Sequence, residues 1–330
     1  LLVVVIFFVL SLTEEIYIKT GIHVYSGYGW VTHLYNQRKN LVPETAASFC
    51  TIADYIGMRL TGRESPLIHS SMAASFGFFD LEKGQFRTDL LKDLGVTGDI
   101  LPDTTTKVAP LGKFRGIPVY TAIGDNQASV LGAAGREPGS ILINMGTGGQ
   151  ICVISDRNIQ IPGIETRPFL DENYLLAGAS LCGGRAYAVL ENFFRQYGKA
   201  AGIGDCPQYD IMDKILKEAQ PEEPLLVRTT FQGTRMHPDM RGSIEGISEE
   251  NFTPAALING VLRGMARELY HMYREISEQI KLEAPVLAAS GNGIRKNPWL
   301  QKAFEEVFEK KLALSPYIEE AACGAAVSCL

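Results

Sequence analysis

Two apolar runs leave this chain few options: Ser140 to Asn144 and Gln150 to Ile154, joined by Met145-Gly-Thr-Gly-Gly149. Short runs rich in Ile, Leu and Val read as buried strands, and a glycine-rich link predicts that the two fold back on each other. Glycines at 146, 148 and 149 permit positive φ, so successive N–H groups can turn inward as an anion-binding nest, with the Thr147 hydroxyl as a further donor. A plain β-hairpin turn accounts for the same residues equally well.

A second junction precedes it. The run Pro118 to Ile123 ends at Gly124-Asp125, after which small and apolar residues continue at helical spacing. The spacing therefore places one carboxylate where a strand hands over to a helix. The unpaired N–H groups and positive dipole end of that helix favour an ionised Asp125, and Gly124 lets a ligand approach the backbone. Capping of the helix is the alternative role. Two further strand-to-helix junctions are glycine-rich. Tyr174 to Ala177 leads through Gly183-Gly184 into a helix, where the glycines suit either a ligand at its N-terminus or close helix–strand packing. Pro285 to Ser290 leads through Gly291-Asn292-Gly293 to Asn297-Pro298, an N-cap and first turn.

At 330 residues, 46% of them hydrophobic and 21% charged, the chain can bury a sizeable core in about two domains. The turn Glu137-Pro-Gly139, where mixed helices give way to strand–turn–strand, places the boundary between residues 1–136 and 137–330. A net charge of -6 without a basic stripe argues against a nucleic-acid partner. The six cysteines, at 50, 152, 182, 206, 323 and 329, form no C-x-x-C pair and no metal-ligand spacing with the histidines, as expected of buried, reduced thiols in the cytoplasm. Leu1 to Leu12 is too short to span a membrane and lacks the marks of a signal peptide, so it reads as a remnant of core strands and no membrane partner is expected.

Elsewhere the pattern predicts packing elements. A helix opens at Pro43-Glu44 with Phe49, Ile52, Tyr55, Ile56 and Leu60 on one face and stops at Thr61-Gly62. The longest helix opens at Thr253-Pro254 and carries Leu257, Val261, Met265, Leu269, Met272, Ile276 and Ile280 on one face. His69 to Ser75 is a small, hydroxyl-rich stretch that suits a sugar, another backbone or a polar loop. Arg235 and Arg241 sit among turn residues, where arginines bind phosphate or brace a loop through carboxylates.

In this order and spacing the chain resembles the FGGY carbohydrate kinases of the actin/hexokinase superfamily. The matching blocks are Gly124-Asp-Asn-Gln-Ala128, Asn144-x-Gly-Thr-Gly148, Gly233-Thr-Arg235 with Arg241-Gly242, Gly291-Asn-Gly293 with Asn297, and the closing Glu319-Glu-Ala-Ala-Cys-Gly-Ala-Ala326. The resemblance covers roughly residues 15 to 330. It implies an α/β fold of two actin-like, ribonuclease H-like domains around a cleft where ATP and sugar meet. Asp125 would be the base, with Gly124 and Asn126 beside the sugar. Gly146, Thr147 and Gly148 would cradle the ATP phosphates, with Gly183 and Gly184 nearby, and Gly291, Asn292, Gly293 and Asn297 would flank the adenosine. Mg²⁺ is implied by the chemistry of phosphoryl transfer, without ligands that the sequence identifies. Within the family, Met72 to Asp80, Asp125 to Val130 and Gly178 to Gly184 most resemble the members that phosphorylate sedoheptulose, with xylulose, gluconate and glycerol as the competing substrates. A homodimer is left open.

One part of the family pattern is missing. Members carry a D-x-G-T hairpin that holds phosphate and metal, and no such motif occurs in these residues. Roughly the first hundred residues of the pattern are absent or reduced to Leu1 to Leu12, which makes the N-terminal domain incomplete. It also raises the alternative of a catalytically inactive paralogue that binds nucleotide or sugar.

Overall fold

A computed structural model describes residues 12–20, 22, 24–96, 98–219, 225–280, 282 and 286–330. The strand remnant expected over Leu1 to Leu12 lies outside the described residues, except that Leu12 belongs to a helical stretch, 12–20, and is buried. Pro285, expected to open a strand, also lies outside them.

The N-terminal part begins with α1 (Gly29–Arg38) and α2 (Ile52–Thr61), followed by the parallel strands β1 (Leu67–His69) and β2 (Asp103–Thr105). Its core is aromatic. Trp30 packs against Phe49, Phe76 and Phe86 with ring centroids 4.9–5.9 Å apart, beside Leu34, Ile68 and Leu91. Edge-to-face packing of such rings adds specificity to the burial itself.

After a short hairpin, Pro110–Phe114 with Ile117–Tyr120, the chain enters α3 (Asp125–Ala134) and then a six-stranded mixed sheet. The strands are β3 (Ile141–Met145), β4 (Gly149–Ser155), β5 (Ile164–Pro168), β6 (Tyr174–Ser180), β7 (Val286–Ser290) and β8 (Lys311–Leu314), in the spatial order β8-β7-β3-β4-β6-β5. The neighbours β3, β4, β6 and β5 run antiparallel, and β3, β7 and β8 run parallel.

The expected hairpin is thus the centre of this sheet, and its alternation decides which face each residue serves. Ile141, Ile143, Met145, Ile151 and Val153 join the core formed with α4 (Gly183–Ala200), α5 (Pro254–Ser277) and α6 (Pro298–Phe308). Leu142, Cys152 and Ile154 point the other way, onto Val130 and Leu131 of α3. A period of two, with both faces apolar, is what a strand covered on both sides requires.

On that second face α3 crosses α7 (Glu320–Val327) with almost no side chain between them. A Cβ on Gly324 would overlap the Ala128 carbonyl, and one on Gly132 would overlap that of Glu320. The run of small residues therefore packs against α3, while Arg295 ties it to the Gly291–Gly293 turn through Glu320, 2.6 Å away. Among the described residues no helix is long and apolar enough to cross a membrane.

Two expectations are corrected. The helix expected from Pro43 begins at Ile52, where the Thr51 hydroxyl accepts from Asp54 N at 3.2 Å and caps it; Pro43 opens only a turn closed by Ala46 N. Of the apolar residues assigned to it, Phe49 packs against Trp30, but those from Ile52 onward do not form a packed face: Ile52 is 74% exposed and Ile56 50%, with Tyr55 and Leu60 also exposed. The thiols are free but not all buried, since Cys206 is exposed.

Candidate active site

Asp125 is the first residue of α3, and the cap position belongs to Gly124, which is extended at φ -60°, ψ 143°. The Asp125 carboxylate is exposed and accepts from Asn126 N at 2.7 Å. The helix terminus thus supplies it with a donor and a favourable dipole while leaving it open to a ligand. The next two side chains anchor it to the sheet. Asn126 donates through Nδ2 to Gln150 Oε1 at 2.9 Å and accepts at Oδ1 from Arg167 Nη1 at 3.1 Å. Gln127 donates to the Pro168 carbonyl at 2.9 Å. Below them lies Cys152, whose thiol burial pushes up to about 11, so it serves as packing and not as a nucleophile.

Gln150 directly follows the β3–β4 turn, so the Asn126–Gln150 bond brings the carboxylate-bearing turn to the glycine turn. Gly146 and Thr147 are exposed there. The expected left-handed nest is not what forms, for none of Gly146, Gly148 and Gly149 has a positive φ. The glycines serve close approach instead. Gly183 packs against the Gly148 backbone with no room for a Cβ, and a Cβ on Gly184 would sit 2.5 Å from Gly146 O. Gly184 N donates to Gly146 O and Arg185 N to Thr147 O, each at 3.0 Å. Of the two roles open to Gly183-Gly184, the structure displays close packing: two donors at the start of α4 are spent on the turn.

The third glycine turn arrives on β7, the parallel neighbour of β3. At φ 90°, Gly291 takes a conformation open to glycine, and its Cβ would lie 2.5 Å from Met145 O; for Gly293 the distance is 2.7 Å. Asn292 starts the helical turn Asn292–Arg295. Asn297 caps α6 by accepting from Leu300 N at 3.0 Å, as its sequence position predicts. It also meets the Tyr187 hydroxyl, whose pKa burial raises to about 12. Gly124 to Asn126, Gly146 to Gly148, Gly183-Gly184 and Gly291 to Gly293 therefore converge through packed backbone and the Asn126–Gln150 bond.

A charged cluster that sequence reasoning missed adjoins Asn126. Glu165 bridges Arg167 and Arg235; burial pushes its carboxyl up, but the two guanidiniums outweigh this and hold it below the usual range. Tyr28, half-buried, shares the field of all three charges, and burial raises its hydroxyl. The missed signal was the alternation of Ile164-Glu-Thr-Arg-Pro168, a strand of period two obscured by charge. Arg235 braces through a carboxylate, and Arg241 through the carbonyls of Pro238 and Met240.

Comparison with known proteins agrees with this architecture. Residues 10–132 match the N-terminal domain, and residues 141–330 the C-terminal domain, of the FGGY family of carbohydrate kinases. A sedoheptulokinase from Mus musculus is 25% identical over 326 residues, covering 92% of this chain and 67% of the relative. In fold, the chain resembles a xylulose kinase from Rhodospirillum rubrum, with a TM-score of 0.77 and 22% identity over 96% of this chain and 66% of the other. It also resembles a Plasmodium falciparum glycerol kinase solved with ADP, with a TM-score of 0.76 and 19% identity over 96% and 65%. The chain spans about two thirds of the length of these proteins.

Proposed function

The chain belongs to the FGGY family of carbohydrate kinases, and from that membership we propose that it phosphorylates the terminal primary hydroxyl of a ketose at the expense of ATP, converting sedoheptulose to sedoheptulose 7-phosphate in the cytoplasm. The reading divides the chain at residues 136/137, with sugar and nucleotide meeting between the two parts. The observation that carries it is the Asn126–Gln150 hydrogen bond of 2.9 Å, which joins the turn bearing the exposed carboxylate of Asp125 to the residue after the Gly146–Gly149 turn.

Phosphoryl transfer asks the protein for positioning and charge more than for covalent chemistry. In this reading the sugar hydroxyl oxygen attacks the γ-phosphorus, the bond to the β,γ-bridging oxygen breaks, ADP departs with that electron pair, and the hydroxyl proton passes to the Asp125 carboxylate. Asn126, oriented by Gln150 and Arg167, lies beside the sugar and can turn toward it the amide proton that otherwise points at the Cys152 thiol, 3.6 Å away. Arg167, held by Glu165, lends positive charge beside it. Gly146, Thr147 and Gly148 face the phosphates, and Gly291 to Gly293 with Asn297 border the nucleoside. Mg²⁺, for which no ligands are identified in this chain, would supply neutralisation of the phosphate charge when bound with ATP. Among the described residues no three His, Cys, Asp or Glu side chains converge on a metal position.

The test is ADP release against a panel of sedoheptulose, xylulose, gluconate and glycerol, with Asp125→Asn in parallel. Sedoheptulose should give the highest kcat/KM, and Asp125→Asn should lower kcat by about 10²–10⁴-fold while nucleotide affinity stays within about twofold. Equal turnover by the variant removes Asp125 from the mechanism, and a higher kcat/KM for another sugar replaces the substrate. A second reading is a nucleotide- or sugar-binding protein without turnover. Nucleotide binding without ADP release on any of the sugars would establish it.

A further inference from the structure

Asp125 owes its place to Gly124, and Gly124 is held from a distant part of the chain. Its carbonyl accepts from Ala128 N at 2.8 Å, inside α3, but its N–H donates to Ser71 Oγ at 3.0 Å, across 53 residues. Ser71 lies in the helical turn Ser70–Ala73 that follows β1. Its neighbours Ile68 and Ala73 belong to the aromatic N-terminal core, whereas α3 is seated on the sheet through Val130 and Leu131. The bond therefore joins the two cores at the residue before the carboxylate.

The direction of that bond depends on His69, which is completely buried. His69 Nδ1 lies 3.2 Å from Ser71 N, which can only donate, so Nδ1 is an acceptor and the imidazole proton resides on Nε2. The Ser71 hydroxyl, 2.8 Å from the same Nδ1, must then donate to it. With its proton committed there, Ser71 Oγ presents a lone pair to the Gly124 N–H. Nε2 carries the ring's proton into a buried space, toward the Thr106 backbone. Burial keeps the ring neutral at ordinary pH, with a pKa near 4.

We propose that His69 and Ser71 are positioning residues for the phosphoryl-transfer base: a neutral Nε2–H imidazole fixes the Ser71 hydroxyl, the hydroxyl fixes the Gly124 amide, and the amide fixes the Asp125 carboxylate. This rests on the reading of Asp125 as the base. The junction is also closely packed: the space a Cβ would take at Gly124 is filled by Gln127 Oε1 and bordered by Ser71 O at 3.5 Å. A displaced turn would carry the carboxylate off the line of the attacking oxygen, and errors of this size cost up to about a hundredfold in rate.

The experiment compares Ser71→Ala, His69→Leu, His69→Asn and Asp125→Asn with the wild-type chain, by steady-state kinetics and by ¹⁵N NMR of His69 and Gly124. Asn at position 69 places an amide oxygen where Nδ1 stood and can accept both bonds. Ser71→Ala and His69→Leu should each lower kcat about tenfold or more with both KM values within about threefold, and His69→Asn should recover most of that loss. In the wild-type protein the imidazole should show Nε2–H and a bare Nδ1, and Ser71→Ala should move the Gly124 amide resonance upfield. A proton on Nδ1 overturns the proposal even if no variant folds. So does a wild-type kcat in Ser71→Ala, or His69→Asn failing as badly as His69→Leu, which would mark a packing role alone. Loss of turnover in Asp125→Asn with none in Ser71→Ala rejects the relay and spares the base. Full turnover in Asp125→Asn removes the base, and the relay's purpose with it.

Discussion

Gly291 shows how little freedom single positions have here. Its φ of 90° and the Met145 carbonyl 2.5 Å from any Cβ act together, so Gly291→Ala meets both backbone strain and overlap. Thermal denaturation should record a loss of about 2–3 kcal/mol, and isothermal titration an ADP affinity weakened about tenfold or more, because the turn must move away from the β3–β4 turn. An affinity like that of the wild type would detach this turn from the nucleotide. Residues of this kind were legible in the sequence, since glycine flanked by a strand and a cap leaves few roles, and Asn297 could be read as a cap directly. Glu165, Arg167 and Gln150 were not, because their meaning is relational: each matters through the partner that the sheet register brings to it. His69 was visible only as part of a polar stretch, and nothing local told that its ring faces Ser71.

Among elements, the crossing of α3 and α7 is the most exacting contact. Gly324→Ala places a methyl group into the Ala128 carbonyl, backbone against backbone, and should destabilise the chain by about 2–3 kcal/mol while lowering kcat, since α3 carries Asp125. By contrast, Ile56→Ser on α2 touches a half-exposed side chain and should change stability by no more than about 0.5 kcal/mol. Urea denaturation of the two variants checks both; equal losses would mean that α2 is buried against something and α7 is not. The strands β3, β4, β6 and β7 followed from apolar runs between glycines. The start of α2 did not, because an apolar repeat of helical period extends back to Phe49, and only the Thr51 cap, with Asp54 three residues on, ends it at Ile52. Periodicity also says which residues share a face, not whether anything covers that face.

For the whole molecule, buried ionisable groups fix the response to acid. His69 has a folded pKa of about 4 against an ordinary 6.5, so the unfolded chain takes up its proton first as pH falls. Stability that is complete above pH 6.5 is lost between there and pH 4, by at most about 3 kcal/mol from this residue. His33, lowered by burial, acts in the same direction. Glu165, held down by its arginines, adds its stabilisation above the ordinary carboxylate pKa of 4.5 and loses it below. Burial raises Glu268 and Asp54, and these oppose the trend by binding protons first in the folded state. Thermal midpoints at pH 7 and 4.5 should therefore fall on acidification, and His69→Asn should flatten that fall. An unchanged slope would assign the loss to other groups.

The crossing of α3 and α7 also sets an order in time. The ribosome makes α3 long before α7, so the helix bearing Asp125 waits without its cover while β3 to β8 are synthesised and laid down. An mRNA broken anywhere between the codons for Ala134 and Glu320 yields a product in which the helix bearing Asp125 lacks α7 against its outer side.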